Sequence, residues 1–144
     1  MQNNLPTYLN EYAESHQNPT NKLIHTLCVP LITWSIVGIL HSFIITGVHL
    51  SYIFILVSLV FYSLFKKILI LFTMTTLSIL MLTSYHLIPN LFWTCLIVFV
   101  IGWVGQFYGH HLEGKRPSFF KDVTFLLIGP VWVLKKLFPK IDQY

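Results

Sequence analysis

The sequence contains few charged residues. Of its 144 residues, nine are lysine or arginine and five are aspartate or glutamate, so that 10% are charged and 55% are hydrophobic. A soluble globular domain carries about 25% charged residues. So few charges could not cover the surface of a soluble domain, a soluble coiled coil or a disordered chain. The composition therefore predicts a single integral membrane domain that takes in residues 1–144.

Cysteine is scarce as well. Cys28 and Cys95 are the two in the chain, and they form neither a disulfide framework, nor a zinc-finger spacing, nor a C-x-x-C-H haem motif. The basic residues are too dispersed for a nucleic-acid surface, so we expect no nucleic-acid partner. The first 21 residues contain no lysine or arginine and lack the charged start of a cleavable signal peptide. We expect residues 1–22 to form a polar, turn-rich segment beside the lipid bilayer.

Long apolar runs are abundant. Because a helix needs about 20 apolar residues to cross a bilayer, we predict an all-α polytopic membrane helical bundle with four transmembrane helices. The runs lie at about residues 23–48, 50–65, 68–88 and 91–108. Residues 123–134 are apolar but contain Gly129 and Pro130, and a helix of this length reaches only about 18 Å. They predict an interfacial or re-entrant helix within the cytoplasmic and interfacial region 109–144.

Lysine and arginine are distributed asymmetrically. With four crossings, the N-terminus, the turn at Lys66 and Lys67, and everything after residue 108 share one side of the membrane. All nine basic residues lie on that side, and the positive-inside rule then predicts that both termini are cytoplasmic. Short loops and the absence of a retention signal favour a bacterial inner membrane, with the endoplasmic reticulum expected in a eukaryote.

Histidine is frequent, with seven in the chain. The predicted topology places four near the cytoplasmic ends of spans and three toward the opposite face: His16, His25, His110 and His111, and then His41, His49 and His86. An isolated histidine in such a position more often makes structural hydrogen bonds or anchors a helix at the interface. Asn18 and Pro19 are expected to interrupt the helix between His16 and His25, so that these two imidazoles can converge.

A carboxylate lies close behind the fourth predicted span. Glu113 follows His110 by three residues, a spacing at which helical imidazole and carboxylate ligands bind one metal. Such ligands suit non-haem Fe2+, and zinc accepts the same set. The residue types alone leave a metal site and a structural role open. A bis-histidine haem would need His41 and His86, which lie in no diagnostic motif.

Three glycines lie along the fourth span at helical spacing: Gly102, Gly105 and Gly109. Small residues at this spacing let a second helix approach closely. The pattern predicts close packing of another helix on this face, and the same face would allow a homodimer.

Two motifs lie near the two ends of the chain. The first consists of Tyr12, His16, Asn18, Pro19, Asn21, Ile24, His25 and Pro30, and the second of Trp103, Gln106, Phe107, Gly109, His110, Glu113, Lys115, Arg116 and Pro117. Together they resemble the small membrane proteins classed as the domain of unknown function 962 family, over almost the entire chain. Cys28 stands where that family usually has glycine.

The resemblance implies an Fe2+-dependent α-oxidation, in which a 2-hydroxy fatty acid and O2 yield a fatty acid one carbon shorter. It implies that His16, His25 and His110 hold the iron, with Glu113 and His111 as further candidate ligands. His110 and Glu113 are the candidate catalytic residues.

Basic and amide side chains in the motifs are candidates for contacting the substrate. Arg116 or Lys115 would pair with the carboxylate, and Asn21 is a third candidate. Two other interpretations remain open at this point. The chain could be another membrane lipid metalloenzyme, such as a hydroxylase or a zinc hydrolase, or a non-enzymatic helical-bundle scaffold.

Overall fold

The computed structural model describes residues 5–116 and 124–143. Over this part the chain is helical apart from one short hairpin, which confirms the predicted all-α class. The elements are α1 (Leu5–Glu14), α2 (Pro19–His41), β1 (Ile44–Ile45), β2 (Val48–His49), α3 (Leu50–Ser63), α4 (Ile68–Tyr85), α5 (Leu91–Glu113) and α6 (Phe125–Leu137). Pro117 of the second motif and Lys121 lie outside the described residues.

Among the described helices, α2, α4 and α5 are long and apolar enough to cross a membrane. Their outward faces are apolar too, as Leu23, Leu27 and Leu31 of α2 show, with exposures of 59%, 62% and 45%. Large exposed apolar surfaces mark contact with a membrane or a partner. The remaining predicted span, at residues 50–65, corresponds to α3, whose 14 residues extend for about 21 Å. The structure therefore supports three candidate crossings where the sequence predicted four.

Two predicted span boundaries differ from the structure. The first span was expected to reach residue 48, but α2 ends at His41 and a hairpin follows, in which Ile44 pairs with His49. Thr46 and Gly47 at its tip have φ of 52° and 83°, and two successive left-handed residues form a hairpin turn and not a helix. At the other end of the chain, α5 continues past the predicted residue 108 to Glu113.

The N-terminal segment is also more regular than the sequence suggested. Leu5, Leu9 and Tyr12 are spaced four and three residues apart, so they share one face of α1. All three are buried, in a core that also contains Phe125 and Ile128 of α6. The expectation of a turn-rich segment is therefore corrected. Residues 5–14 form a helix, because their apolar stripe packs against α6.

The closest helix pair is α2 with α5, along the predicted glycine face. A Cβ atom would overlap a side chain of α2 at each of the three positions: Ile32 at Gly102, Cys28 Sγ at Gly105, and Asn21 Oδ1 at Gly109. The predicted close packing of a second helix is confirmed, and that helix is α2. Because α2 already covers this face, the face does not support the homodimer that these glycines would have allowed.

Candidate metal centre

Three histidines from separate segments meet inside the bundle. His16 follows α1, His25 lies on α2 and His110 on α5, and their side chains are 0%, 1% and 3% exposed. The ring centroids are 4.1 Å apart for His16 and His25, 5.0 Å for His16 and His110, and 4.7 Å for His25 and His110. One nitrogen from each ring lies within 4.8 Å of the other two. A buried cluster of this kind can bind a metal ion.

The local sequence explains how His16 and His25 approach one another. Asn18 caps α2, and its side-chain oxygen accepts from the backbone N–H of Thr20 at 2.9 Å and of Asn21 at 3.3 Å. Proline at the first helical position favours the same start. The helix is thus broken before Pro19, as predicted, and the two imidazoles meet across this break.

Hydrogen bonds at one ring nitrogen orient the other nitrogen. His16 Nδ1 donates to the carbonyl of Tyr12, and His25 Nδ1 donates to the carbonyl of Asn21 at 3.0 Å. Such bonds fix the tautomer and leave the Nε2 lone pair for a ligand. His16 Nε2 and His110 Nδ1 are buried and have no hydrogen-bond partner among the described residues. Because buried polar atoms are nearly always paired, these nitrogens fit a metal ion as the missing partner.

Burial also keeps His16 in the form that binds metal. It lowers the pKa of His16 to about 4, although the bond to the Tyr12 carbonyl opposes the shift. The ring is therefore neutral near pH 7. Tyr12 stacks on it with centroids 4.3 Å apart and an interplanar angle of 11°, and Trp132 of α6 lies 5.2 Å away. These aromatic rings hold His16 in place and shield it from water.

Glu113 lies outside the three-nitrogen cluster. One of its oxygens accepts from the backbone N–H of Gln17 at 2.7 Å, and the other accepts from the N–H of Asn18 at 2.8 Å and from Asn21 Nδ2 at 3.0 Å. The fully buried Asn21 also donates to the carbonyl of Ser15 at 3.3 Å. In this arrangement the carboxylate joins the end of α5 to the turn that carries His16.

The remaining predicted site residues lie at the surface. His111 is exposed, next to the buried His110, and the structure does not bring it into the cluster. Lys115 is exposed and its Nζ donates to the carbonyl of Glu14 at 2.8 Å. Arg116 is exposed as well. Both basic residues follow α5 on the same end of the bundle as the histidines.

A small cavity of about 40 Å³ adjoins the histidines. His25, His110 and Gln106 line one part of it, and Thr33 and Gly129 another. The side chain of Gln106 also interacts with His25. The cavity leaves room for a small ligand beside His25 and His110.

Sequence reasoning missed the part that α6 plays here. The helix was predicted as interfacial or re-entrant, with no part in the site, and the structure shows that Phe125, Leu126 and Gly129 line the histidine cavity and that Trp132 lies against His16. A Cβ on Gly129 would lie 3.1 Å from Tyr12 Oη. A glycine inside an otherwise apolar helix was the signal of this close contact, but its partner could not be found without the fold.

The two motifs that build this centre also relate the chain to known proteins. A family model described as "2-hydroxy-palmitic acid dioxygenase Mpo1-like" matches residues 2–141. The chain is 31% identical over 137 residues to the 2-hydroxy-palmitic acid dioxygenase MPO1 of Saccharomyces cerevisiae, covering 90% of this chain and 77% of the yeast protein. No solved structure matches the chain significantly. The domain of unknown function 962 is the same family. A chain with both motifs and a family match over nearly its whole length belongs to the Mpo1-like family.

Proposed function

We propose that this protein is an Fe2+-dependent membrane dioxygenase that converts 2-hydroxy fatty acids to fatty acids one carbon shorter. The observation that carries the proposal is the buried cluster of His16, His25 and His110 in a chain of the Mpo1-like family. Three imidazoles leave coordination positions open, as non-haem iron oxygenases require. Bound Fe2+ would supply the activation of O2. The reaction balances if C2 becomes the new carboxyl group and C1 leaves as carbon dioxide, with one water formed.

The protein's own residues hold and orient the reactants. The three histidines supply neutral nitrogens, and Tyr12 and Trp132 exclude water from the His16 side. Glu113 acts on the geometry of the site through the turn before α2, since its oxygens accept hydrogen bonds there. Its candidate roles as ligand or acid–base residue stay part of the proposal.

The substrate carboxylate would lie at the basic end of the bundle. Lys115 and Arg116 are exposed beside the end of α5, and guanidinium or ammonium groups form strong charge-assisted hydrogen bonds with carboxylates. Asn21 is a weaker fit to this role, because it is fully buried and its amide already donates to Ser15 and Glu113. The acyl chain would extend toward the apolar interior.

We also propose four crossings, in which α2, α4 and α5 are joined by the shorter helix α3, and both termini in the cytoplasm. The distribution of basic residues supports this orientation, because all nine lysine and arginine residues then lie on the cytoplasmic side of the membrane, as the positive-inside rule describes. The bilayer can thin around a short helix at modest cost. A bacterial inner membrane is the proposed location, and the endoplasmic reticulum in a eukaryotic cell.

The first experiment measures metal and turnover together. Protein purified anaerobically in detergent is expected to contain near-stoichiometric iron and to consume O2 with 2-hydroxypalmitic acid. The His110→Ala variant should lose both, because it removes one buried ring of the cluster, whereas the adjacent and exposed His111→Ala variant should keep both.

Other outcomes identify the competing functions. Stoichiometric zinc with no O2 consumption would indicate a hydrolase. Iron with a hydroxylated product of unchanged chain length would indicate a lipid hydroxylase. A wild-type protein without metal would indicate a scaffold, and equal iron in wild type and His110→Ala would remove His110 from the ligand set.

A further inference from the structure

A second and larger cavity lies next to the histidine cavity. It has a volume of about 220 Å³ and is lined by residues of α2, α3, α4 and α6. Thr33 of α2 and Leu126 of α6 line both cavities. These two side chains therefore form the boundary between the metal centre and the second cavity.

Among the described residues, the wall of the second cavity offers a ligand no charge and no free hydroxyl hydrogen. No charged residue is among its described lining residues. Its hydroxyl groups all donate to backbone carbonyls: Thr33 to Val29 at 2.9 Å, Ser58 to Phe54 at 2.8 Å, Ser78 to Met74 at 2.8 Å and Tyr62 to Leu127 at 2.9 Å. A polar ligand would lose its own hydrogen bonds here, which is costly. A hydrocarbon chain has no hydrogen bonds to lose and meets no such penalty.

The two cavities follow one another along α2. At 1.5 Å per residue, Thr33 lies about 12 Å beyond His25 along the helix axis, and Val37 lies about 18 Å beyond it. A molecule with its polar end at the histidines would pass between Thr33 and Leu126 and then continue toward Val37. This path requires a polar head group at one end and a long apolar tail.

We propose that the second cavity receives the acyl chain of the 2-hydroxy fatty acid and that its depth determines which chain lengths react. This inference rests on the proposed function. It adds that selection for a long chain takes place between α2, α3, α4 and α6 and not at the lipid-facing surface. Residues that line only the second cavity, such as Ser58, then determine specificity without touching the reacting atoms.

Filling the cavity tests this assignment. In Ser58→Phe, the phenyl ring would occupy space needed by the distal part of the chain. We expect kcat/KM for 2-hydroxypalmitic acid to fall about tenfold or more, the size of effect typical of altered fit in an apolar pocket. The value for 2-hydroxyoctanoic acid should stay near that of wild type. Ser63→Phe places the same residue at an exposed position of α3 and should change neither value.

Two outcomes of this experiment would overturn the proposal. One is an equal decrease of kcat/KM for 2-hydroxypalmitic and 2-hydroxyoctanoic acid in Ser58→Phe. The other is an unchanged kcat/KM for both acids. Ser78→Phe on α4 fills the same cavity from another helix and takes the place of Ser58→Phe if that variant does not fold.

A binding measurement separates this inference from the enzymatic proposal. Palmitic acid with a diazirine near its methyl end needs no turnover to label the protein. We expect labelled peptides from α3 and α4, reduced labelling in Ser58→Phe but not in Ser63→Phe, and competition by 2-hydroxypalmitic acid.

The labelling pattern decides between the occupants. Labels confined to the exposed leucines of α2 would place the chain in the bilayer and overturn the proposal. The cavity could also be labelled without any competition from 2-hydroxypalmitic acid. That result would indicate a bilayer lipid as the occupant and would also overturn the proposal. Competed labelling without turnover would instead support the chain site and reject the dioxygenase activity.

Discussion

Glu113 connects two of the segments that carry the histidine cluster. Its two oxygens accept two backbone N–H groups before α2 and the amide of Asn21. Hydrogen bonds to a charged group contribute about 1.5–3 kcal/mol each, and less where water competes. The carboxylate therefore stabilises the turn between His16 and His25.

The Glu113→Gln variant tests this role. In this variant an NH2 group replaces one carboxylate oxygen and faces N–H groups that need an acceptor. We therefore expect the free energy of unfolding to fall by about 1–3 kcal/mol. The folded variant should still bind metal near stoichiometrically. Thermal unfolding in detergent and elemental analysis of the same sample provide the two measurements.

A matched control is Glu11→Gln, at an exposed position of α1. It should leave both stability and metal content unchanged. If Glu113→Gln lost its metal while keeping wild-type stability, Glu113 would be a ligand, as its spacing from His110 suggests.

At the scale of elements, the packing of α2 on α5 decides whether the histidines meet. His25 lies on one of these helices and His110 on the other, and Gly105 faces Cys28 between them. A Cβ on Gly105 would overlap Cys28 Sγ, while Ile24 Cγ2 would lie at an ordinary 3.7 Å. The obstacle at this position is thus a single sulfur atom.

This geometry predicts a strong coupling between two substitutions. Gly105→Ala alone should destabilise the protein by about 1–3 kcal/mol through overpacking. In a Cys28→Ala background the sulfur is gone, and most of that loss should disappear. A double-mutant cycle on the free energy of unfolding measures the coupling.

Gly38→Ala serves as the control for that cycle. A Cβ on Gly38 would overlap Cys95 Sγ, not Cys28. Cys28→Ala should therefore give no relief to Gly38→Ala. Additive effects of Gly105→Ala and Cys28→Ala would show that the two helices do not approach as described.

At the scale of the whole molecule, the question is how the bundle crosses the bilayer. If α3 crosses, the Thr46 hairpin tip and the Lys66 turn lie on opposite sides. Single cysteines at these exposed positions, in a Cys28→Ala and Cys95→Ala background, report their side. With a membrane-impermeant maleimide and a bacterial host, we expect Thr46→Cys to react in intact spheroplasts and Lys66→Cys only after lysis.

The reverse pattern would invert the proposed orientation. Reaction of both cysteines in intact spheroplasts would mean that α3 does not cross. Gln143→Cys, near the C-terminus, is a control that should behave like Lys66→Cys if that end of the chain is cytoplasmic.

Much of this fold depends on local sequence and was predictable from it. The predicted runs 50–65 and 68–88 correspond to α3 (Leu50–Ser63) and α4 (Ile68–Tyr85). Apolar run length and nearby turn residues decide such boundaries, and both are visible in the sequence. The break at Pro19 and the close packing at the glycines were predicted for the same reason, since each follows from the backbone properties of one or a few residues.

Tertiary structure alone decided which residues surround the site. Glu113 and Gln17 are 96 residues apart in sequence, and Trp132 reaches His16 from α6. The residues that cover the apolar stripe of α1 belong to α6, which lies at the other end of the chain. Composition and helical spacing therefore determined that the chain forms an apolar bundle with four of its seven histidines near one end. The distances among those histidines, the partners of Glu113 and the cavity beyond Thr33 depended on how helices distant in sequence pack, because such contacts leave no periodic signal in the chain.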